Sequence, residues 1–284
     1  MFRSSSILLV ILTAGCTAAQ LASTSAGYAD VEKTVARVFI SDAQEEALGQ
    51  QIHAELDKST PEKPALKYST DAQVNGYVEG LIARLTPHAN KDRTSNWRVY
   101  VINDPKTVNA FATPGGQIYV YTGLLLTADS EAQVAGVLGH ELGHVVARHS
   151  ARQLVNAYGL NAISGAALGK DPGTLGQIAA AVVGNGAMLA HSRSDENEAD
   201  TYGVKYSAAA GYDASGLAGF FEKLIAIQGN TPRILTWMST HPASADRIAS
   251  VNQMISDQGL AGRGEVGAER LAPIKQRIAT MPAR

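Results

Sequence analysis

Along most of this chain apolar residues recur at three- and four-residue intervals, the spacing that builds one face of a helix. Ala47, Leu48, Ile52 and Leu56 follow Ser41-x-x-Gln44, so a helix is expected from there through Leu56. Val74, Tyr77, Val78, Leu81, Ile82 and Leu85 follow Thr70-x-x-Gln73 and predict a second helix, ending before Pro87. Ser130-x-x-Gln133 opens a third, which carries Ala132, Val134, Ala135, Val137, Leu138, Leu142, Val145 and Val146. Gly136, Gly139 and Gly143 weaken that helix, which makes sense if another element packs closely against it. Alternation is confined to Trp97–Ile102, closed by an Asn103-Asp104-Pro105 turn, and to Gly116–Tyr121; both read as strands.

Residues 154–190 are rich in Ala, Gly and aliphatics, but Asn156, Asn161, Lys170-Asp171-Pro172-Gly173, Gln177 and Asn185 interrupt them. No uninterrupted run reaches the ~20 residues of a membrane span, so two packed helices are expected, placed to form a flap over a site. Leu217–Ile227 predicts a further helix with Phe220, Phe221, Leu224 and Ile225 in the core, and Thr240-His241-Pro242 begins another with Ile248, Val251, Met254 and Ile255 inward. From Gly259 the chain reads as a tail with a short helical pattern near Ile274–Ile278. There is no internal repeat. The fold class expected is α+β, mainly helical with a small sheet, with residues 41–284 as one domain (core about 41–257, tail 258–284).

Composition narrows the function classes. A chain of 284 residues with 45% hydrophobic and 18% charged content is large enough for one sizeable core, and a formal net charge of −2 gives no electrostatic footprint for nucleic acid. The single cysteine, Cys16, excludes an intramolecular disulfide and a cysteine-rich structural zinc site.

The third helix carries the chemistry. His140-Glu141-Leu142-Gly143-His144 places two histidines four residues apart, about 40° apart around a helix axis and one turn apart along it, so both imidazoles can close on one metal ion. Glu141 points roughly 100° away, too far round to share the metal but able to reach a water there and move its proton. A catalytic zinc takes three protein ligands and keeps one position open. The acidic run Ser192–Asp200 supplies the third: Glu196 is the choice, with Asp200 one turn further on the same face, placed to accept the second ring N–H of a ligand histidine. Asp195 serves the helix N-terminus and Glu198, on the opposite side, reads as a solvated charge. His53 and His88 read as surface or packed histidines. His149, five residues past His144, faces away from the metal and at most anchors the helix end. His191, five before Glu196, lies across its helix and reads as a histidine that supports the site or is incidental to it.

These motifs resemble those of the gluzincin metallopeptidase family that contains HtpX and the type I CAAX prenyl proteases, and within it the branch of small periplasmic lipoproteins. The resemblance rests on the HELGH run, the Ser192-Arg193-x-x-Glu196-x-x-Ala199-Asp200 run, Asn109-Ala110-Phe111-Ala112 with Pro114-Gly115-Gly116, and His241-Pro242 followed by Arg247, over roughly residues 40–257. It implies a zincin-like domain with one zinc ion, and it makes Glu196 the third ligand. In zinc peptidases of this build the substrate lies as an extra strand on an exposed sheet edge beside the metal; Asn109, Ala110, Phe111 and Ala112 open the candidate segment, the alternative being a fully paired interior strand. His241, held at a rigid corner by Pro242, is expected to face the cleft. There it would donate to the oxyanion or close the metal's open position; the alternative is a loop or capping histidine near Arg247.

The first residues look like a bacterial lipoprotein signal. One positive charge in Met1-Phe2-Arg3 and a short apolar run, Ile7–Leu12, precede Ala14-Gly15-Cys16, so residues 1–15 are expected to be removed, Cys16 to receive a lipid and residues 16–40 to tether the domain. The alternatives are an ordinary secretory signal cut near Ala18-Ala19 or an uncleaved anchor. Thr17 rather than Asp after the cysteine, by its resemblance to enterobacterial lipoprotein sorting, implies the outer membrane. The expected function is zinc-dependent endopeptidase action on misfolded or unassembled envelope proteins. The rivals are a periplasmic chaperone or assembly factor with a closed or regulatory zinc site, and a scaffold with purely structural zinc.

Overall fold

The computed structural model describes residues 40–59, 64–184, 191–230 and 236–282, without the side chains of 182–184. The signal-like segment with Cys16 and most of the tether lie outside them. Residues Asp42–Arg284 form one compact unit.

A short sheet and a pair of crossed helices position everything that follows. Strands β1 (Arg98–Ile102), β2 (Ala110–Thr113) and β3 (Gln117–Tyr121) run in the order β1-β3-β2, with β3 parallel to β1 and antiparallel to β2. The β2–β3 hairpin turns on Gly115 and Gly116 at φ +78° and +91°, where a side chain would be strained. Four helices join the sheet to the site: α1 (Asp42–Leu56), α2 (Ala72–Ala89), α3 (Thr122–Thr127) and α4 (Glu131–Val146). Helix α4 is buried on all sides, as its mostly apolar sequence requires, and packs on β2. Ser130 caps it by accepting from Gln133 N, while the Gln133 side chain accepts from Asp129 N.

The glycines of α4 have the expected packing partner. Helix α8 (Arg193–Ala209) lies so close that a Cβ at Gly139 would stand 3.1 Å from the carbonyl oxygen of Gly203, and one at Gly143 would stand 2.7 Å from Tyr202 Cβ. Gly136 meets Leu217, on α9 (Gly216–Ile227), in the same way. Small residues thus trade helix propensity for close backbone approach.

Several boundaries differ from expectation. Asp71, not Thr70, caps α2, its carboxylate accepting from Gln73 N and Val74 N. Helix α2 continues through Pro87, which costs only one backbone bond in a last turn that Ala89 buries. Between residues 149 and 184 there are three helices rather than two, α5 (His149–Tyr158), α6 (Leu160–Ala167) and α7 (Pro172–Gly184), and α6 and α7 pack against α1. No helix of the described residues is long and apolar enough to cross a membrane. Ile225 is 40% exposed at the end of α9 instead of in the core. His241 follows a short helix α10 (Trp237–Thr240), and Ser244, three residues later, caps α11 (Ala245–Asp257) by accepting from Arg247 N. The tail carries a full helix, α12 (Ala268–Thr280), with Leu271, Ile274 and Ile278 buried. It packs on α2, α3 and the start of α4, where Arg270 Nε donates to the buried Glu131 at 2.9 Å.

Candidate metal centre

The crossing of α4 and α8, with the α10–α11 corner above it, brings His140, His144, Glu196 and His241 together: one ligand atom from each lies within 4.8 Å of all the others, and all four are buried. The Nε2 atoms of His140 and His144 are 3.0 Å apart. Glu196 places Oε2 3.6 Å from His140 Nε2 and Oε1 3.5 Å from His144 Nε2. His241 Nδ1 is 3.2 Å from His140 Nε2 and 2.9 Å from Glu196 Oε1. A cation held at about 2.0–2.2 Å by tetrahedral ligands would separate them by roughly 3.3–3.6 Å. The two separations of Glu196 from His140 and His144 fall there, and the pairs at 2.9–3.2 Å need only a small outward shift to take up an ion. Glu196 Oε2 fits this too: it is buried, accepts no aligned hydrogen bond, and stands 3.6 Å from His140 Nε2, with Arg247 Nη1 at 2.7 Å to balance its charge.

The supporting contacts fix these side chains. Asp200 Oδ1 lies 2.9 Å from His140 Nδ1, as the one-turn offset from Glu196 predicts, and Arg247 grips the same carboxylate through Nε at 2.9 Å and Nη2 at 2.7 Å. Asp195 closes the capping box with Ser192. Glu141 reaches the opposite side of the cluster, where the indole N–H of Trp237 donates to its Oε1 at 3.1 Å and His241 Nε2 stands 3.5 Å away.

Burial and charge pull the titrating groups apart. Burial raises the Glu141 carboxyl, and the nearby His241, His140 and Trp237 offset this only in part. Glu196 is also penalised by burial, but His241, His140 and Arg247 outweigh it and hold the carboxyl down to about 2. For Asp200 the hydrogen bonds from His140 and Arg247 likewise outweigh burial and lower it. Burial and the neighbouring histidines push His144 well below the usual histidine range. His241 goes the other way: Glu196 and Glu141 overcome its burial and raise it.

Two expectations change here, at Glu198 and His149, while His191 takes up the supporting place read for it. Glu198 is no solvated charge, because α5 covers that side of α8 and brings His149 Nε2 to 3.3 Å from Glu198 Oε2. His149 does not face away; its Nδ1 is 2.7 Å from His144 Nδ1. His191 stacks on His144 at 3.9 Å between ring centroids. Trp237 was missed altogether, since an indole four residues before a histidine has no spacing signature. The segment Asn109–Ala112 contributes β2, which lies at the sheet's edge, while Asn109 itself pairs its carbonyl with Tyr121 N. All four β2 residues are buried, and the Ala112 carbonyl accepts from Ser150 Oγ at 3.3 Å.

Two histidines one turn apart, a carboxylate from a second helix and a glutamate beside the cluster define a centre of the metallopeptidase type. The chain belongs to peptidase family M48, whose model matches residues 72–255. It is 33% identical over 228 residues to Metalloprotease LoiP of Escherichia coli (strain K12), covering 78% of this chain and 84% of that protein. It is 35% identical over 164 residues to Mitochondrial metalloendopeptidase OMA1 of Schizosaccharomyces pombe (57% and 47%), and 29% identical over 269 residues to Beta-barrel assembly-enhancing protease of Escherichia coli (strain K12) (87% and 52%). The chain thus spans about half the length of the latter two.

Proposed function

We propose that this chain is a zinc-dependent endopeptidase of the bacterial envelope, in which His140, His144 and Glu196 hold one zinc ion and Glu141 moves the proton. The observation that carries the reading is the set of buried ligand atoms at metal spacing with a buried glutamate beside it. Zinc, when bound, supplies Lewis-acid activation of water and polarisation of the scissile carbonyl. Glu141 takes the proton of the attacking water as the new C–O bond forms, then delivers it to the amine as the C–N bond breaks. A raised carboxyl suits a group that must carry that proton between the two steps. Trp237 keeps the carboxylate aimed.

His241 stands between Glu196 and Glu141, where a substrate carbonyl would enter. This supports a ring that closes the site at rest and swings aside, or donates to the oxyanion, when substrate arrives. Substrate would lie along the β2 edge, displacing the Ser150 hydroxyl from Ala112. The substrate class is misfolded or unassembled envelope protein, which the printed name of the beta-barrel assembly relative supports. An assembly factor without protease activity is not favoured, because the relatives are named as proteases. Lipidation at Cys16 and a periplasm-facing outer-membrane location rest on the N-terminal sequence; Cys16→Ser should leave an unlipidated precursor without the acyl mass and change its membrane association. The deciding experiment is metal analysis with casein cleavage for wild type and Glu141→Gln. Zinc retained with cleavage reduced at least about a hundredfold is the expected result, and unchanged cleavage removes Glu141 from the mechanism.

A further inference from the structure

The two ligand histidines are supported differently. His140 turns Nδ1 to the Asp200 carboxylate at 2.9 Å, a common arrangement for a metal-binding imidazole. His144 turns Nδ1 to another imidazole, His149 Nδ1, at 2.7 Å. Two ring nitrogens at this distance share one hydrogen, so one is the donor and the other the acceptor. If His144 offers its Nε2 lone pair to a metal, its hydrogen sits on Nδ1, and His149 Nδ1 must be the acceptor. The hydrogen of His149 then sits on Nε2, which faces Glu198 Oε2 at 3.3 Å and Asp195 Oδ1 at 3.4 Å. Glu198 Oε2 is the nearer of the two and makes a hydrogen bond with His149 Nε2, so Glu198 is the better end of this line. Each assignment forces the next.

The backbone is built for the contact. On an unbroken helix His149 would sit about 140° round from His144. Arg148 instead adopts φ +61°, ψ +30°, the one left-handed non-glycine among the described residues, and α5 starts immediately after it with His149 pointing back. That conformation is costly for a residue with a side chain, and such outliers persist where surrounding structure holds them. Here the hold is ionic: Arg148 Nε lies 2.7 Å from Oε2 of Glu45, a buried carboxylate that Arg93 also grips at 2.9 Å.

We propose that His149, backed by Glu198, is a positioning residue that sets the tautomer and orientation of His144, doing through an imidazole what Asp200 does directly for His140. The proposal rests on His144 being a metal ligand. It is tested on the full chain by zinc affinity, measured in competition with a chromophoric chelator, alongside thermal melting of the metal-free protein. His149→Leu keeps bulk but removes the acceptor and should weaken zinc binding roughly ten- to a hundredfold. His149→Asn places Oδ1 where Nδ1 stood and should recover affinity to within a few-fold of wild type, whereas His149→Gln, whose polar end falls near Nε2 instead, should not. Glu198→Gln should weaken binding several-fold in the wild type and have no effect in the His149→Leu background. If His149→Leu does not fold, the Asn and Gln variants carry the comparison. Equal zinc affinity in wild type and His149→Leu, or equal losses in Asn and Gln, overturns the proposal and leaves His149 a packing residue. A wild type that takes up no zinc, or a His144→Ala variant that binds it normally, overturns the ligand reading itself, and the proposal with it.

Discussion

At the scale of single residues the site separates the four groups that surround the candidate metal position from those that hold them in place. His140→Ala, His144→Ala and Glu196→Ala should each abolish measurable zinc uptake, whereas Asp200→Asn should weaken it about ten- to a hundredfold, because the amide still fills the space but no longer charges the contact with His140 and Arg247. Equilibrium dialysis of the four variants checks this order, and full uptake by Glu196→Ala would move the third ligand elsewhere. His241 has a different expected behaviour. If its ring closes the site, His241→Ala should raise casein cleavage several-fold at unchanged zinc content; a fall in kcat of about a hundredfold at constant KM would instead assign the oxyanion donor.

At the scale of elements, helix α4 works because it is poor in side chains where α8 and α9 cross it. Gly143→Ala would press a methyl group against Tyr202 and shift α8, which carries Glu196, so both stability and zinc affinity should fall, the former by about 1–3 kcal/mol in urea denaturation. Gly80→Ala on α2 meets nothing within 4 Å and should raise stability by about 0.4–1 kcal/mol. This is also where the sequence was most legible. Histidine spacing, the Ser130 cap and the glycine run are local features, and they identified the helix, the face on which its two histidines meet and the presence of a close neighbour. What it left unread depends on residues far apart or on one unusual torsion. No glycine or asparagine marks the left-handed turn at Arg148, so His149 was projected along a helix that in fact breaks. Glu198 was placed on the correct side of its helix, but nothing nearby in sequence announces that α5 covers that side.

Over the whole molecule, the buried histidines link folding to pH. His144, His191 and His149 are lowered by burial, so below the unfolded value near 6.5 the unfolded chain binds more protons than the folded one, and their contribution to stability falls as pH falls. His241 and Glu141, both raised, oppose this, two groups against three. The metal-free protein should therefore melt at lower temperature at pH 5 than at pH 7, with each ~1 kcal/mol appearing as roughly 2–4 °C, and a melting point that rises on acidification would contradict it. The backbone contact of α4 with α8 near Gly139 and Gly203 has a last consequence. The opening between the His140–His144 pair and Glu196 is set by how near two rods can lie, much as a calliper is set by its jaws, and the side chains around it only inherit that gauge. Selectivity for an ion of a given radius would then belong to two hydrogen atoms, one on each glycine, that no list of coordinating residues contains.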